Sequence, residues 1–493
     1  MSFISFHIKQ IRSEGMPALL RKMCSVPRWF LRLFCLSKYS STLAYYGCRA
    51  VIAVIPGWLR AHFFFSEILI VLGRYDEAVA VLESAFLLEH GQIDSYRGIY
   101  YTLIFHGQIR AARNIIQRYV DTQNNFAREH QLDKLGIRFL RDFTTNIGHI
   151  ALLDPYIKMD ILGQRSLTRP IILATTQANK CYLDYWQRYL PDIISDPLAV
   201  DRLLPLTTCL EDYIFAVMDV SGKQIWECYT AERERLIQSR WEAAGRDPLL
   251  NLSDSDQERG LDCLKRLGLS TDVWFVGLHA RKEHTPIQEA RNADINTYRL
   301  AMESIIARGG WVIRMGDTTM PPLPPMHHVI DYAHNKVHSD WMDVFLWARC
   351  RFFIGTQSGP HMVPPTFGVP CVITNWASLG LRPWFKKDIC IFKIFWSKSQ
   401  ARHLNFAEVL ASAAASSECA GYRSAQGISL VDNSPEDIND VVVEMLDRLE
   451  GRLRYSKEDE ELQERFDRLY INSACKANAR IGRAFLQKWA HLL

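Results

Sequence analysis

An α/β fold of two Rossmann-like halves, preceded by an all-α region, is what this sequence predicts, on three observations. Short apolar runs ending in glycine or small polar loops recur between residues 132 and 450, with helical patterns between them. Strand and helix alternating in this way build a parallel sheet. The first 131 residues show helical periodicity instead, and one motif there returns 34 residues later. The organisation that follows is a basic amphipathic segment (1–60), helical repeats (61–131), a first α/β half (132–260), a second α/β half (261–450) and C-terminal helices (451–493).

The 493 residues, 48% hydrophobic, leave room for two or three domains with substantial cores. A formal net charge of +4, from 58 basic and 54 acidic residues, excludes the strongly basic character of a nucleic-acid binder. The 12 cysteines are scattered without metal-ligand spacing, which predicts reduced thiols, no bound metal and a cytoplasmic protein. No stretch of about 18 apolar residues is uninterrupted by charge, so no membrane-spanning helix is expected. A secretory signal is not expected either.

In residues 1–60, Lys9, Arg12, Arg21, Lys22, Arg28, Arg32, Lys38, Arg49 and Arg60 are opposed by Glu14 alone, with Phe30, Leu31, Leu33 and Phe34 among them. Two readings stand: a segment lying peripherally on an anionic membrane surface, or an ordinary packed helix with solvated cations. Next, Gly73-Arg74-Tyr75-Asp76-Glu77-Ala78 is echoed by Gly107-Gln108-Ile109-Arg110-Ala111-Ala112. The interval is the period of tetratricopeptide hairpins, which these residues resemble. Two such units either brace the rest of the chain or bind a protein partner.

In the first α/β half, strands are expected at Gly136–Leu140 and Arg169–Thr175, and a helix at Cys181–Leu190. Between them, Thr144 to His149 forms a loop entering a helix. Gly148 permits close backbone approach, and His149 stands near the helix start. His149 is either a general base, with a pKa suited to proton removal near neutrality, or a residue bracing the loop.

The second half carries the ligand argument. Apolar strands at Val273–Leu278, Gly310–Met315 and Arg351–Gly355 end in His279-Ala280-Arg281, in Arg314-Gly316-Asp317, and in Thr356-Gln357-Ser358-Gly359. Ligands of open α/β sheets bind beyond such ends. Arg281 and Arg314 suit a phosphorylated ligand through forked hydrogen bonds. Pro360 opens a short helix whose N-terminus would favour an anion. Pro364 and Pro365 inside that helix weaken the dipole contribution. A long loop from Lys282 to Ile295 presents Asn292 and Asp294, either to a sugar or acceptor hydroxyl or, for Asp294, as a helix cap. Asp340 opens a later helix, where an acidic residue is commonly a dipole partner. The tail from Lys457 is expected to be helical.

Across residues 141–451, the segments GLHAR, RNADINTY, GGWVIRMGD, VIDYA, SDWMD, RFFIGTQSG and FGVPCVITNW resemble a family of bacterial glycosyltransferases of GT-B type, associated with surface polysaccharides. More distantly, HAR is similar to the His-x-Arg motif of GT-B fucosyltransferases, and GTQSG…FGVP to the phosphate loop of heptosyltransferases. The resemblance implies a GT-B-like pair of domains moving a hexosyl or deoxyhexosyl group from a nucleotide-diphosphate sugar to a polysaccharide or lipid-linked glycan. It implies no cofactor beyond the nucleotide-sugar co-substrate, and a tail packed across the first half. His279, Arg281, Arg314, Asp317, Thr356, Gln357, Ser358 and Gly359 would hold the donor. His149 and Arg281 would be catalytic, and Asn292, Asp294 and Asp340 would touch sugar or acceptor. A nucleotide-sugar epimerase of the same architecture and a non-catalytic tetratricopeptide assembly protein are the alternatives.

Overall fold

The computed structural model of the chain describes residues 38–86, 100–115, 125–163, 169–207, 215–217, 226–228, 237–282, 289–470 and 478–493, with one- or two-residue gaps in the first four stretches. Most of the basic segment, read as either membrane-lying or an ordinary packed helix, lies outside these residues. The chain divides into two compact units, 1–102 and 103–493, a division that falls inside the expected repeat region.

In the first unit, helices Lys38–Val54, Leu59–Val71 and Tyr75–Phe86 follow one another. Gly73 turns the chain between the last two at φ 73°, a conformation costly for any side chain. Its N–H donates to Ile70, the Arg74 N–H donates to Leu69, and Ala78 is fully buried on the following turn. In the second unit, Gly107 repeats this corner at φ 73°. The Gly107 N–H donates to Ile104, Gln108 donates to Leu103, and Ala112 is fully buried.

The rest of the second unit is mixed α/β with parallel sheets. A small sheet holds β1 (Ile137–Leu140), β2 (Arg169–Leu173) and β3 (Ile193–Ile194), all parallel. A separate antiparallel pair, β4 (Phe215–Val217) and β5 (Trp226–Cys228), follows. The main sheet contains β6 (Phe275–His279), β7 (Trp311–Arg314), β8 (Val329–Asp331), β9 (Phe353–Gly355), β10 (Cys371–Trp376) and β11 (Ile389–Phe392). Strands β12 (Ile394–Ser397), β13 (Arg402–His403) and β14 (Ile428–Val431) form a third, antiparallel sheet. Finally, β15 (Arg480–Ile481) returns to the main sheet beside β11.

The main sheet runs β15-β11-β10-β9-β6-β7-β8, every pair parallel. Its order reverses between β6 and β9, the switch point at which open α/β sheets hold ligands. Strands β6, β9, β10 and β11 are buried along their whole length, as near-continuous apolar runs require.

Three expectations change. The tail is not wholly helical: β15 extends the sheet. Helix Arg483–Lys488 then lies against the second half, with Lys488 paired to Asp437 and the Arg483 N–H donating to Glu444, while Asn478 bonds to Ser239 and Glu242 of the first, so the tail touches both halves. Helix Asp254–Arg266, set by a Ser253/Asp256 capping box, runs straight through the expected boundary at 260/261. The two halves share one hydrophobic core, to which Trp186 and Leu153 contribute as well as Phe345 and Ile373. Among the described residues no helix is long and apolar enough to cross a membrane.

Helix Ala420–Ala425 meets the Gly107 corner closely. A Cβ on Gly421 would lie 2.4 Å from the Phe105 ring, and one on Gly107 would lie 2.7 Å from Tyr422.

Candidate functional site

The loops leaving β6 and β9 are sewn together where their strands part. His279 is in register with Gly355, and the Thr356 N–H donates to the His279 carbonyl at 3.2 Å. The Arg281 N–H donates to Thr356 Oγ1 at 3.0 Å. A Cβ on Gly355 would fall 2.2 Å from the His279 oxygen, so this crossing admits glycine alone. His279 is buried, and its Nδ1 lies 3.3 Å from Ser358 Oγ. Burial first, then the positive charges of Arg281 and Arg314, push its pKa down to about 4. The imidazole is therefore neutral at neutral pH and sits within the field of both guanidinium groups.

The helix expected after Gly359 is only a 3-10 turn, Gly359–Met362, followed by one α-helical turn, Val363–Thr366. Pro364 and Pro365 account for its brevity, since neither supplies an N–H. The Ser358 N–H is also engaged, donating to His361 Nδ1 at 3.1 Å. The helix-dipole contribution to anion binding expected here is therefore largely absent. Instead the loop meets the first half. Helix Ile147–Ala151, capped by Asn146 Oδ1 accepting from the His149 N–H, packs on it. A Cβ on Gly148 would lie 2.8 Å from Gly359 Cα. Nearby, Tyr182 and Thr366 hydroxyls are 3.0 Å apart, and Asn179 Nδ2 donates to the Asp340 carbonyl at 2.9 Å.

A cavity of about 700 Å³ opens beside the tip of β6, within the size range of small-molecule sites. Ala280, Lys282 and residues between Glu289 and Asn296 make one wall, and helix Ala420–Ala425 with β14 makes another. Lys393 is buried in its lining, paired with Asp432 at 2.7 Å and donating to the Asn292 carbonyl at 2.6 Å. Arg423, also buried there, donates to the carbonyls of Ser416 and Ser417. Exposed Lys282 and Lys398 stand at the rim.

The residues singled out from sequence thus fall into separate groups. His279, Arg281, Thr356, Ser358 and Gly359 gather at the strand crossing. Asn292, Asp294 and Arg314 line the cavity. Asp294 also caps the following turn, accepting from the Asn296 N–H at 3.0 Å. Arg314 is less available than expected of a phosphate ligand: Nη1 pairs with Asp331 at 2.7 Å, and Nη2 donates to the Pro321 carbonyl at 3.0 Å. Gln357 donates to Ser378 Oγ at 3.0 Å. Asp317 accepts from the Thr319 N–H and hydroxyl, which hold its carboxyl below the usual range. The Asp340 side chain is exposed at a helix start, outside the cavity lining, and its carbonyl serves the seam. His149 Nδ1 lies 2.8 Å from Thr145 Oγ1, one residue from the Gly148 contact.

Sequence reasoning passed over His361, Lys393 and Arg423. The Ser358-x-x-His361 spacing of a capping box signalled the first. Nothing local signals the other two, because the chain from Lys393 to Arg423 reaches the cavity only by tertiary folding.

Neither a protein-family model nor a curated protein matches the sequence. Among solved structures the chain is similar to a glycosyl transferase family 9 protein from Veillonella parvula DSM 2008, at 10% identity and TM-score 0.34, over 52% of this chain and 86% of that one. It is also similar to an O-GlcNAc transferase variant from Thermobaculum terrenum, at 13% identity and TM-score 0.22, over 92% and 86%. Likeness of this degree carries no argument about activity, so the chemistry is read from the residues.

Proposed function

We propose that the protein is a glycosyltransferase that moves a sugar from a nucleotide-diphosphate donor to a polysaccharide or lipid-linked glycan acceptor. The observation that carries this reading is the position of the cavity: it opens beyond the ends of β6 and β7, next to the β6/β9 crossing where the strand order reverses, with cations around it. The diphosphate lies near Arg281 and Ser358, and the remainder of the donor enters the cavity past Asn292 and Asp294. Departure of the nucleotide develops negative charge on the leaving oxygen, and a fixed cation stabilises that charge without reorganising. His149, on the first half beside the seam, takes the acceptor proton. The sequence resemblance to GT-B glycosyltransferases supports the same reading, and so does the neutral state of His279, which allows it to orient the Ser358 hydroxyl.

A thermal-shift series of the full chain against nucleoside diphosphates and their sugars tests it. A nucleoside diphosphate present at a hundred times its Kd stabilises the fold by about 2.7 kcal/mol. Failure of every nucleoside diphosphate and nucleotide sugar to raise the melting temperature overturns the reading.

A further inference from the structure

We infer that Arg423 and Lys393 form an oxyanion-binding wall in the cavity, taking a phosphate or carboxylate group of its ligand. This deepens the nucleotide-sugar reading by assigning a charge to the part of the donor that fills the cavity, and it rests on that reading for the identity of the donor.

Two buried cations line the same space. Lys393 and Arg423 are each 4% exposed, although lysine and arginine are rarely buried without compensation. Lys393 has the carboxylate of Asp432, itself about half exposed, and the Asn292 carbonyl. Arg423 has only the carbonyls of Ser416 and Ser417, and among the described residues no carboxylate pairs with it. Lys393 is depressed by burial and, in smaller part, by the positive charge of Arg423, while Asp432 and Glu289 act to raise it. Burial likewise brings the Arg423 guanidinium down to about 10. Two buried like charges in one cavity lining are costly, and an oxyanion that reaches both offsets the cost through charge-assisted hydrogen bonds.

The surroundings agree. Lys282 and Lys398 stand at the opening, so an anion meets positive charge before reaching the wall. Arg314 adds no net charge, being paired with Asp331. The carboxylates in the lining are Glu289, Asp294 and Asp432. Asp432 is bound to Lys393, and Asp294 is turned to its own cap.

The test is titration calorimetry on the full chain with inorganic pyrophosphate, glucuronate and a nucleoside diphosphate, for the wild type and for Arg423→Gln, Arg423→Lys and Lys398→Glu. Binding of pyrophosphate or glucuronate should weaken by about tenfold or more in Arg423→Gln and recover in part in Arg423→Lys. Pyrophosphate binding that is lost with Arg423 identifies a phosphate site here, apart from the one at Arg281, and glucuronate binding lost with it identifies an acidic sugar. Because Arg423 also holds two carbonyls, Arg423→Gln is checked for folding by circular dichroism. Should it unfold, exposed Lys398→Glu carries the decision, with binding weakened by about threefold and more steeply at low salt. The inference is overturned if neither simple anion binds the wild type, or if the folded variants bind as the wild type does. Anion binding that depends on Arg423, without any nucleotide-sugar binding, keeps this site and removes the glycosyltransferase reading. Nucleotide-sugar binding indifferent to Arg423 and Lys398 does the reverse.

Discussion

Gly148 and Gly359 face one another across the seam between the two halves, close enough that a methyl group on the first would fall 2.8 Å from the Cα of the second. Backbone therefore meets backbone, and the helix carrying His149 is held against the loop carrying Ser358. Gly148→Ala should cost about 1–3 kcal/mol, because a main chain cannot move aside as a flexible side chain would. A denaturant midpoint equal to the wild type's would mean that the seam is looser than this contact implies.

Arg281 and His149 separate two roles in the proposed transfer. Arg281→Ala should weaken nucleoside diphosphate binding by about ten- to a hundredfold. His149→Ala should leave that affinity within about twofold and lower turnover by about a hundredfold or more. Affinity by calorimetry and turnover by product release are the two readouts. Normal turnover in His149→Ala excludes it as the base.

The Arg314–Asp331 pair should behave as a brace. The Arg314 side chain is 3% exposed, so Asp331→Ala strands a buried charge and should cost about 3 kcal/mol. Replacing both, as Arg314→Met with Asp331→Leu, should cost clearly less. Equal losses in the single and double variants, read from chemical denaturation, would count against the pair.

Two buried histidines give a pH signature. His279 and His361 are both pushed down to about 4 by burial, from an ordinary 6.5. Between those values the unfolded chain binds more protons than the folded one. Their contribution to stability is therefore complete above pH 6.5 and declines as pH falls toward 4, by at most about 1.4 kcal/mol per pH unit each. Buried acids such as Asp343, raised to about 6, act in the opposite direction. The informative quantity is thus the stability of the wild type minus that of His279→Asn, which should shrink from pH 7 to pH 5. A constant difference refutes the assignment.

The two hairpin corners allow a matched comparison. Gly73 and Gly107 share φ 73°, but a Cβ on Gly73 meets nothing within 4 Å, whereas one on Gly107 strikes Tyr422. Gly73→Ala should cost about 1 kcal/mol from backbone strain alone. Gly107→Ala should cost measurably more. Thermal unfolding of the full-length variants distinguishes them.

How far the sequence revealed this arrangement depended on the range of the interactions. The strands at β6, β7 and β9 were readable because a short apolar run leading into glycine or a polar turn is a local pattern. Their ends shifted by one or two residues, since Val273 and Trp274, though apolar, precede the strand. The crossing of His279, Thr356 and Ser358 was readable because all lie at or just beyond strand ends. The pairing of Arg314 with Asp331 was not, as it depends on which neighbouring strand lies alongside. β15 escaped notice because two residues carry no period, and Arg423 because its role exists only once a helix far along the chain has folded onto the β6 loop.

One face of helix Ala420–Ala425 gives Ala420, Arg423 and Ser424 to the cavity, while Gly421 and Tyr422 are clamped by the Phe105–Gly107 corner. The helical hairpin is thus a buttress. A chain shortened to its two sheet-bearing halves would retain every strand tip yet leave that side of the chamber unsupported, and whatever grips the hairpin from outside has a six-residue lever into the interior.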